Sequence, residues 1–314
     1  MTSLLSVAPA ALPPRGAPPA ARQSRFRGGR WVAWAALGAL LLITLLPFGV
    51  MLRAAFEHPQ ALYQSQAVLV PQQATLLNFQ RVLGLLSPEQ NLQLGGSGAE
   101  VNLLAATLHS LLFTVLVVVL QITSCAMAAY AFARLRFPGR QTLFALFVGS
   151  MMLPGVVLFI PNFIFIRDLG WLNSLAGMVA PFALMSGFSV FFLRQFFLSL
   201  PRELEEAALL DGATHFMIFR RVVLPLSSAP LATLAILVGI GAWNEFFWPF
   251  VVAPGEDMQV LPTALQAFRA QTPQGQFDWT GLMAAATLAV IPTLLLLVAA
   301  GRKVVESVQF SGSK

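Results

Sequence analysis

Long apolar runs alternate with shorter polar segments along this chain. The first run covers residues 31–52, and five more follow between residues 103 and 301. Each is close in length to the roughly 20 apolar residues that an α-helix needs to cross the hydrocarbon core of a bilayer. The pattern therefore predicts an all-α membrane protein with six transmembrane helices.

The five later runs have similar lengths and lie close together along the chain. We place them at about residues 103–131, 142–166, 174–198, 226–252 and 279–300. Polar residues 53–102 precede them, and within this loop residues 76–86 predict a short amphipathic helix, either lying on the membrane or packed on the protein. Residues 1–30 are rich in Ala, Pro and Arg and predict a disordered tail. Residues 302–314 form the C-terminal tail.

Basic residues distinguish the two sides of the membrane. One set of alternating polar segments holds Arg15, Arg22, Arg25, Arg27, Arg30, Arg134, Arg136, Arg140, Arg202, Arg220, Arg221, Arg302, Lys303 and Lys314. The other set holds only Arg53, Arg81, Arg167 and Arg269. Because loops rich in Lys and Arg stay in the cytoplasm, both termini and residues 200–225 are predicted to be cytoplasmic, and residues 53–102 extracytoplasmic. The chain is thus predicted to be a multi-pass protein of the cell (inner) membrane.

Composition supports the same class. The chain is 57% hydrophobic and 10% charged, whereas soluble domains contain about 25% charged residues. Its formal charge of +6 is spread over the short loops, which argues against a nucleic-acid partner. Three His residues and the single Cys125 are too few and too scattered to predict a metal site, a cofactor or an intramolecular disulfide.

Residues 200–225 are the most charged segment between two apolar runs. Pro201 suits the first position of a helix, and the acidic residues that follow lie near its positive end. Ala207 and Ala208 would let a partner surface approach closely, Gly212 fits a left-handed helix stop, and Thr214 fits the cap of a second helix. The segment predicts a helix–turn–helix parallel to the membrane. The alternative is a solvated amphipathic loop that rests on lipid headgroups.

This segment resembles the cytoplasmic-loop signature of binding-protein-dependent ABC transporter permeases, in which EAA, three residues, Gly and nine residues precede Ile-x-Leu-Pro. Residues 206–208 supply EAA, Gly212 follows at the right spacing, and Val222 replaces the Ile. The stretches that resemble the smaller partner of the maltose-type, sugar-importing permease pair are AAYAFARLRFPGR (128–140), LGWLNSL (169–175), FFLRQFFLSLPRELEEAALLDGA (191–213) and WNEFFWPFVV (243–252). Residues 103–301 are accordingly expected to form an ABC permease transmembrane domain.

The resemblance implies a division of labour between subunits. In that family two permeases form a heterodimer around the pathway, two cytoplasmic ATP-binding subunits each receive one such loop, and an extracytoplasmic solute-binding protein delivers the substrate. By resemblance, residues 206–212 are the coupling helix that docks onto one ATP-binding subunit. The residues implied in this coupling are Glu206, Ala207, Ala208, Asp211, Gly212, Leu224 and Pro225. The expected function is import of a sugar or oligosaccharide by alternating access.

The chain lacks the residues for ATP hydrolysis. A Walker A loop needs a Lys directly after a Gly, but Lys303 and Lys314 are the only lysines and neither follows a Gly. We therefore expect no enzymatic activity, no catalytic residue and an energy source in a separate subunit. An intramembrane hydrolase would need a nucleophile and a base at membrane depth, and His109 is the only intramembrane His. A secondary transporter would more often show charged relays within its spans and inverted repeats. This sequence shows no internal repeat, and Glu245 is the only acid clearly within a predicted span.

Polar residues on one face of the second apolar run are candidates for the pathway. They are Thr107, Ser110, Thr114, Gln121 and Ser124, at helical spacing. They either offer hydroxyl and amide groups to a polyol substrate or form hydrogen bonds between packed helices, and we favour the second interpretation. Thr280 and Thr287 have the same two interpretations.

Residues 200–225 also do not distinguish sugar import from import of glycerol phosphate, a polyamine or another small nutrient.

Asn244 and Glu245 lie near the outer end of the fifth predicted span. An ionisable side chain within a span usually faces a cavity or a partner. The resembling family often has an acid in this motif whatever the sugar, which favours a structural or gating role over substrate selection. Trp243, Trp248 and Trp279 fit interfacial anchors at the outer leaflet, with a sugar-stacking platform as the alternative.

Overall fold

The computed structural model describes residues 27–62, 70–97, 101–269 and 275–310. In these ranges every regular element is a helix, apart from isolated bridge residues, among them the antiparallel pair of Glu57 and Ala74. The all-helical prediction is therefore confirmed for the described part of the chain. The chain divides into two compact units, residues 1–47 and residues 48–314.

The α-helices are, in chain order, α1 (Arg27–Phe56), α2 (Pro59–Leu62), α3 (Leu77–Val82), α4 (Pro88–Gln93), α5 (Leu103–Arg134), α6 (Arg140–Ser150), α7 (Phe159–Asp168), α8 (Leu175–Ala183), α9 (Gly187–Ser199), α10 (Glu203–Leu210), α11 (His215–Ile218), α12 (Leu224–Leu226), α13 (Ser228–Trp243), α14 (Phe247–Val252), α15 (Leu261–Ala264) and α16 (Trp279–Phe310). Gly155–Leu158, Glu256–Met258 and Leu265–Arg269 are 3-10 turns, and Phe219–Val223 is a π-helical segment.

The terminal helices extend beyond their predicted bounds. α1 begins at Arg27 and ends at Phe56, so it includes the end of the predicted tail and the start of the predicted loop. The remainder of the tail, residues 1–26, lies outside the described residues. α16 continues to Phe310, through most of the predicted C-terminal tail.

Few of the predicted spans are single straight helices. Among the described residues, Trp31–Phe56 and α5 are long and apolar enough to cross a membrane alone. Three pairs reach that length only together and are bent: α6 with Gly155–Asp168 by 97°, α8 with α9 by 46°, and His215–Leu226 with α13 by 79°. The apolar part of α16, Trp279–Leu295, is shorter.

Proline accounts for the sharpest of these bends. Pro154 follows the turn that ends α6, and its missing N–H cannot continue the helical hydrogen bonding. Proline also disfavours the helical conformation of Leu153 before it. The predicted third span, residues 142–166, is therefore two helices joined by a corner rather than one helix.

α5 is the helix around which the second unit is packed. It contacts α8, α9 and α13. Buried Ala126 and Ala129 present little side-chain bulk, which allows neighbouring backbones to approach closely. Leu193 and Phe197 of α9 and Leu234 of α13 fill the core beside them.

A buried polar cluster attaches the predicted extracytoplasmic loop to the start of α16. Arg81 forms an ion pair with Asp278, and both side chains are almost completely buried. Arg81 also donates to Asn91 Oδ1 at 2.5 Å and to Asn78 Oδ1 at 2.9 Å. Asp278 Oδ1 accepts the Gly281 N–H at 2.9 Å, which satisfies one of the free amides at the start of α16.

The amphipathic segment predicted at residues 76–86 includes α3. Asn78 and Val82 on this helix are fully buried, and Asn78 donates to the carbonyl oxygens of Ala55 and Glu57. Of the two alternatives that the sequence left open, packing on the protein is the one observed.

Candidate functional site

Residues 200–225 form two short helices joined by a turn. α10 begins at Glu203 rather than at Pro201, with the carbonyl oxygen of Arg202 accepting the N–H groups of Glu205 and Glu206 at 2.9 and 3.0 Å. The three acidic side chains of its first turn lie near the positive end of the helix dipole. The predicted helix is thus observed with a start displaced towards the C-terminus.

Gly212 ends α10 in the left-handed conformation. Its φ is +81°, and it donates to Leu209 O at 3.0 Å while Ala213 donates to Ala208 O at 2.9 Å. This paired arrangement is the Schellman motif, which favours Gly because a Cβ is strained at positive φ. The predicted helix stop at Gly212 is therefore confirmed.

The second helix starts and ends where local chemistry predicts. Thr214 Oγ1 accepts the Met217 N–H at 3.3 Å and caps α11, as predicted. The chain then widens into a π-helical segment through Phe219–Val223 before Pro225. Proline lacks an N–H for the preceding turn, so altered hydrogen bonding just before it has a local cause.

An ion pair holds α10 against the end of α5. Arg134 Nε lies 2.8 Å from Glu205 Oε1, and the two side chains are 5% and 14% exposed. Arg134 Nη2 also donates to Leu200 O at 2.8 Å, immediately before α10. Sequence reasoning did not identify this pair, because Arg134 was interpreted only as a topology signal. Its position at the end of a span, with an acidic helix start nearby in the same predicted compartment, was the available indication.

Aromatic packing fixes the other side of the helix–turn–helix. Ile218, Phe219 and Val223 are buried in the core that surrounds α5 and α9. The rings of Tyr130 and Phe219 have centroids 5.3 Å apart. The two helices are therefore attached to α5 at both ends of the segment.

The outer surface of the helix–turn–helix remains open. Glu206, Ala207 and Asp211 are exposed, and Leu210 and Phe216 are 90% and 67% exposed although both are large and apolar. Such a surface, with apolar side chains beside charged ones, is suited to a protein contact.

The remaining residues expected to take part in coupling are divided between the open surface and the protein interior. Gly212 and Pro225 are exposed, whereas Leu224 is half-buried. Ala208 is also half-buried and packs against the core of its own chain. Of the two alanines, only Ala207 lies on the open surface.

The polar face of α5 is used mainly for packing. Ser110 is buried and accepts the Leu261 N–H at 2.7 Å, and Gln121 donates to Ser189 Oγ at 3.4 Å. Thr107 donates to the carbonyl oxygen one turn earlier on α5, at 2.7 Å. These contacts match the interpretation of the polar face as helix packing.

Thr114 has a different environment. It is 7% exposed, and its Oγ1 has no hydrogen-bond partner among the described residues. It borders a mainly apolar cavity of about 290 Å³ whose walls include Gly239, Trp243 and Thr293. The other candidate hydroxyls are satisfied locally: Ser124 donates to Gln121 O, Thr280 to Asp278 Oδ1 and Thr287 to Met283 O.

Asn244 and Glu245 lie at a break between two helices. α13 ends at Trp243 and α14 begins at Phe247, so the predicted fifth span is not continuous. Asn244 Nδ2 donates to Ile240 O at 2.8 Å, and Glu245 Oε1 accepts the Trp248 N–H at 3.1 Å. Glu245 thus satisfies a free amide at the start of α14, whereas Ile240 O accepts both the backbone N–H and the side-chain amide of Asn244.

Two of the three predicted interfacial tryptophans are instead internal. Trp243 and Trp248 are 8% and 5% exposed. Their Nε1 groups donate to Ala289 O and Gly177 O, each at 3.2 Å. The anchor prediction is wrong for these two, because the indole N–H of each is satisfied inside the protein. Trp279 is 44% exposed, and its anchoring role stays a prediction.

Comparison with known proteins gives concordant matches. Residues 121–308 match the family described as binding-protein-dependent transport system inner membrane component. The chain is 34% identical over 206 residues to the arabinooligosaccharides transport system permease protein AraQ of Halalkalibacterium halodurans, covering 66% of this chain and 72% of that protein. It is 30% identical over 269 residues to the sn-glycerol-3-phosphate transport system permease protein UgpE of Salmonella typhi, covering 85% and 91%.

Two further matches extend this picture. The diacetylchitobiose uptake system permease protein NgcG of Streptomyces coelicolor is 30% identical over 264 residues, or 81% of this chain and 87% of that protein. A chain in the crystal structure of a bacterial ABC transporter involved in the import of the acidic polysaccharide alginate aligns with a TM-score of 0.75 and 24% identity, over 91% of this chain and 99% of that one. The last match shows a shared fold.

Proposed function

We propose that this chain, which belongs to the family of inner membrane components of binding-protein-dependent transport systems, is a permease subunit that imports a sugar or oligosaccharide. The observation that carries the proposal is the EAA-to-Gly segment, folded as a helix–turn–helix that is fixed to α5 and open on its outer surface. Relatives named for arabinooligosaccharides and diacetylchitobiose support a carbohydrate substrate. A relative named for sn-glycerol-3-phosphate makes that compound the second candidate.

The proposed assembly contains more than this chain. A second permease completes the pathway, two ATP-binding subunits supply the energy, and an extracytoplasmic solute-binding protein delivers the substrate. Six spans with both termini in the cytoplasm fit the two long helices, the pairs α6 with α7, α8 with α9 and α13 with α14, and α16. This arrangement places α10 on the same side as the ATP-binding subunits.

Coupling would run from the open surface of α10 into the membrane. Glu206 supplies a polar contact, Leu210 an apolar one and Ala207 a close approach to the ATP-binding subunit. Movement of that subunit would reach α5 through the pair of Arg134 with Glu205, and α13 through the continuous path of α11 and α12. Because two separate connections leave the same short element, it can move two spanning helices together.

The candidate pathway residues take different roles in this proposal. Ser110 and Gln121 hold helices together, while Thr114 is the one of the set that lines the mainly apolar cavity. Glu245 stabilises the break after α13, and this break is a suitable position for gating because it joins helices that need not move as one.

Charge reversal at the docking surface tests the coupling role. Glu206→Lys is expected to abolish substrate uptake and to release the ATP-binding subunits, because an exposed acid that contacts a partner becomes a repulsive cation. Glu203→Lys is the matched control, since it makes the same charge change one turn earlier on the same helix. Uptake in proteoliposomes and co-purification of the ATP-binding subunits are the two measurements. Normal uptake by Glu206→Lys would refute the coupling role.

A further inference from the structure

A basic cleft lies beside α10, between the end of α5 and the start of α6. It has a volume of about 830 Å³, and its lining carries four arginines and two glutamates. Arg134 is paired with Glu205, whereas Arg136, Arg140 and Arg202 form no ion pair among the described residues. Glu206, the second acid of the lining, offsets one of these three charges, so the cleft keeps an excess of positive charge among the described residues.

Apolar surface adjoins this charge. Ala133, Phe137 and Leu209 contribute to the lining of the cleft. On α6, which leaves the cleft, Leu143 and Leu146 are 46% and 65% exposed. The cleft is thus situated where an apolar helix surface meets a cluster of arginines, which is the arrangement expected at the headgroup level of a membrane.

We propose that this cleft binds the headgroup phosphate of an anionic phospholipid, whose acyl chains lie along α6. Arg136 and Arg140 would contact the phosphate from the α5–α6 loop, and Arg202 from the start of α10. The bound lipid would then connect that loop to the coupling segment and stabilise its position. The effect on coupling rests on the proposed function, but the binding of the lipid does not.

An acidic side chain of an ATP-binding subunit is the other occupant with suitable charge. The observations favour the lipid, because the lining combines arginines with apolar side chains and continues into the exposed apolar surface of α6. An acidic side chain would need only the arginines.

The test measures lipid preference in the assembled transporter. The complex is reconstituted in nanodiscs of phosphatidylcholine with a small proportion of phosphatidylglycerol, and lipids that remain bound are quantified by native mass spectrometry. Arg136→Gln/Arg140→Gln is expected to weaken phosphatidylglycerol binding at least about tenfold, because each arginine would lose a charge-assisted hydrogen bond to the phosphate. Arg220→Gln/Arg221→Gln removes the same charge outside the cleft and is expected to leave binding unchanged.

Three outcomes would overturn the proposal. Equal losses in the two double variants would indicate general attraction to the membrane surface rather than a site. Displacement of phosphatidylglycerol by inorganic phosphate would assign the cleft to a soluble anion. A preference that is present in the two permeases alone but absent from the assembled transporter would assign the cleft to a side chain of the ATP-binding subunits. If the unmodified transporter bound phosphatidylglycerol but took up no substrate, the result would count against the proposed function alone.

Discussion

The ion pair between Arg134 and Glu205 offers the sharpest test of how the helix–turn–helix at residues 200–225 is attached. Removing one partner of a buried ion pair costs about 3–5 kcal/mol, because the other charge stays buried without compensation. We expect a cost of about 3 kcal/mol for Glu205→Met, at the lower end of that range. The reason is that Glu205 is 14% exposed and borders the cleft, so water reaches the site more easily than a closed core.

The cost should appear as local undocking rather than global unfolding. α10 is short and is attached to α5 at this pair, whereas Ile218 and Phe219 keep the following segment in the core. A loss of about 3 kcal/mol would speed amide exchange in α10 by roughly 150-fold, wherever exchange requires this helix to undock. Hydrogen–deuterium exchange with peptide resolution measures this directly, with α9 as the internal reference.

A double-mutant cycle separates the ion pair from other effects of substitution. Replacing both partners of a buried pair with apolar residues of similar volume is often neutral. Arg134→Met/Glu205→Met should therefore recover exchange in α10 to within about fivefold of the unmodified protein. Exchange unchanged in Glu205→Met, or costs that simply add in the double variant, would show that the pair does not hold α10 in place.

Two further substitutions test the backbone and the buried cluster. Gly212→Ala should lower the free energy of unfolding by about 1–2 kcal/mol, because the φ of Gly212 is +81° although the space around a new Cβ is open. The matched control is Gly241→Ala, at a helical Gly with no neighbour within 4 Å of an added Cβ. Equal melting temperatures for the two variants would contradict this expectation. Asp278→Asn should lower the free energy of unfolding by about 3 kcal/mol or more, because Arg81 stays buried without its counter-charge. Limited proteolysis should then cut within residues 77–97. Resistance of this segment to the protease would contradict the expected role of the cluster.

The turn within residues 200–225 was predictable because its determinants are local. A Gly at the end of a helix and a Thr before the next one act through backbone groups within a few residues. The start of α10 was displaced because Pro201 suits the first position of a helix without requiring one there. The inward position of Ala208 depends on the packing of α10 against α5, which the spacing of the motif does not specify.

The predictions that failed depend on distant parts of the chain. A tryptophan near the end of an apolar run has the same sequence signal whether its indole N–H reaches lipid headgroups or a carbonyl of another helix. Trp248 donates to Gly177, which is far away in the sequence. The same limit hid the Arg81–Asp278 pair, whose members lie in different polar loops. Only the folded arrangement brings these groups together.

The ion pairs also sharpen the argument for orientation. Three of the four basic residues on the proposed outer side have an acidic partner: Arg53 with Glu57, Arg81 with Asp278 and Arg167 with Asp168. On the proposed cytoplasmic side, Arg134 is paired, but five described arginines form no ion pair: Arg136, Arg140, Arg202, Arg220 and Arg221. The side that is richer in basic residues is thus also the side where their charge is left uncompensated. An anionic leaflet attracts that charge by about 1 kcal/mol for each residue near its surface, so these arginines favour a cytoplasmic position for α10. Three of them, Arg136, Arg140 and Arg202, also line the proposed lipid site.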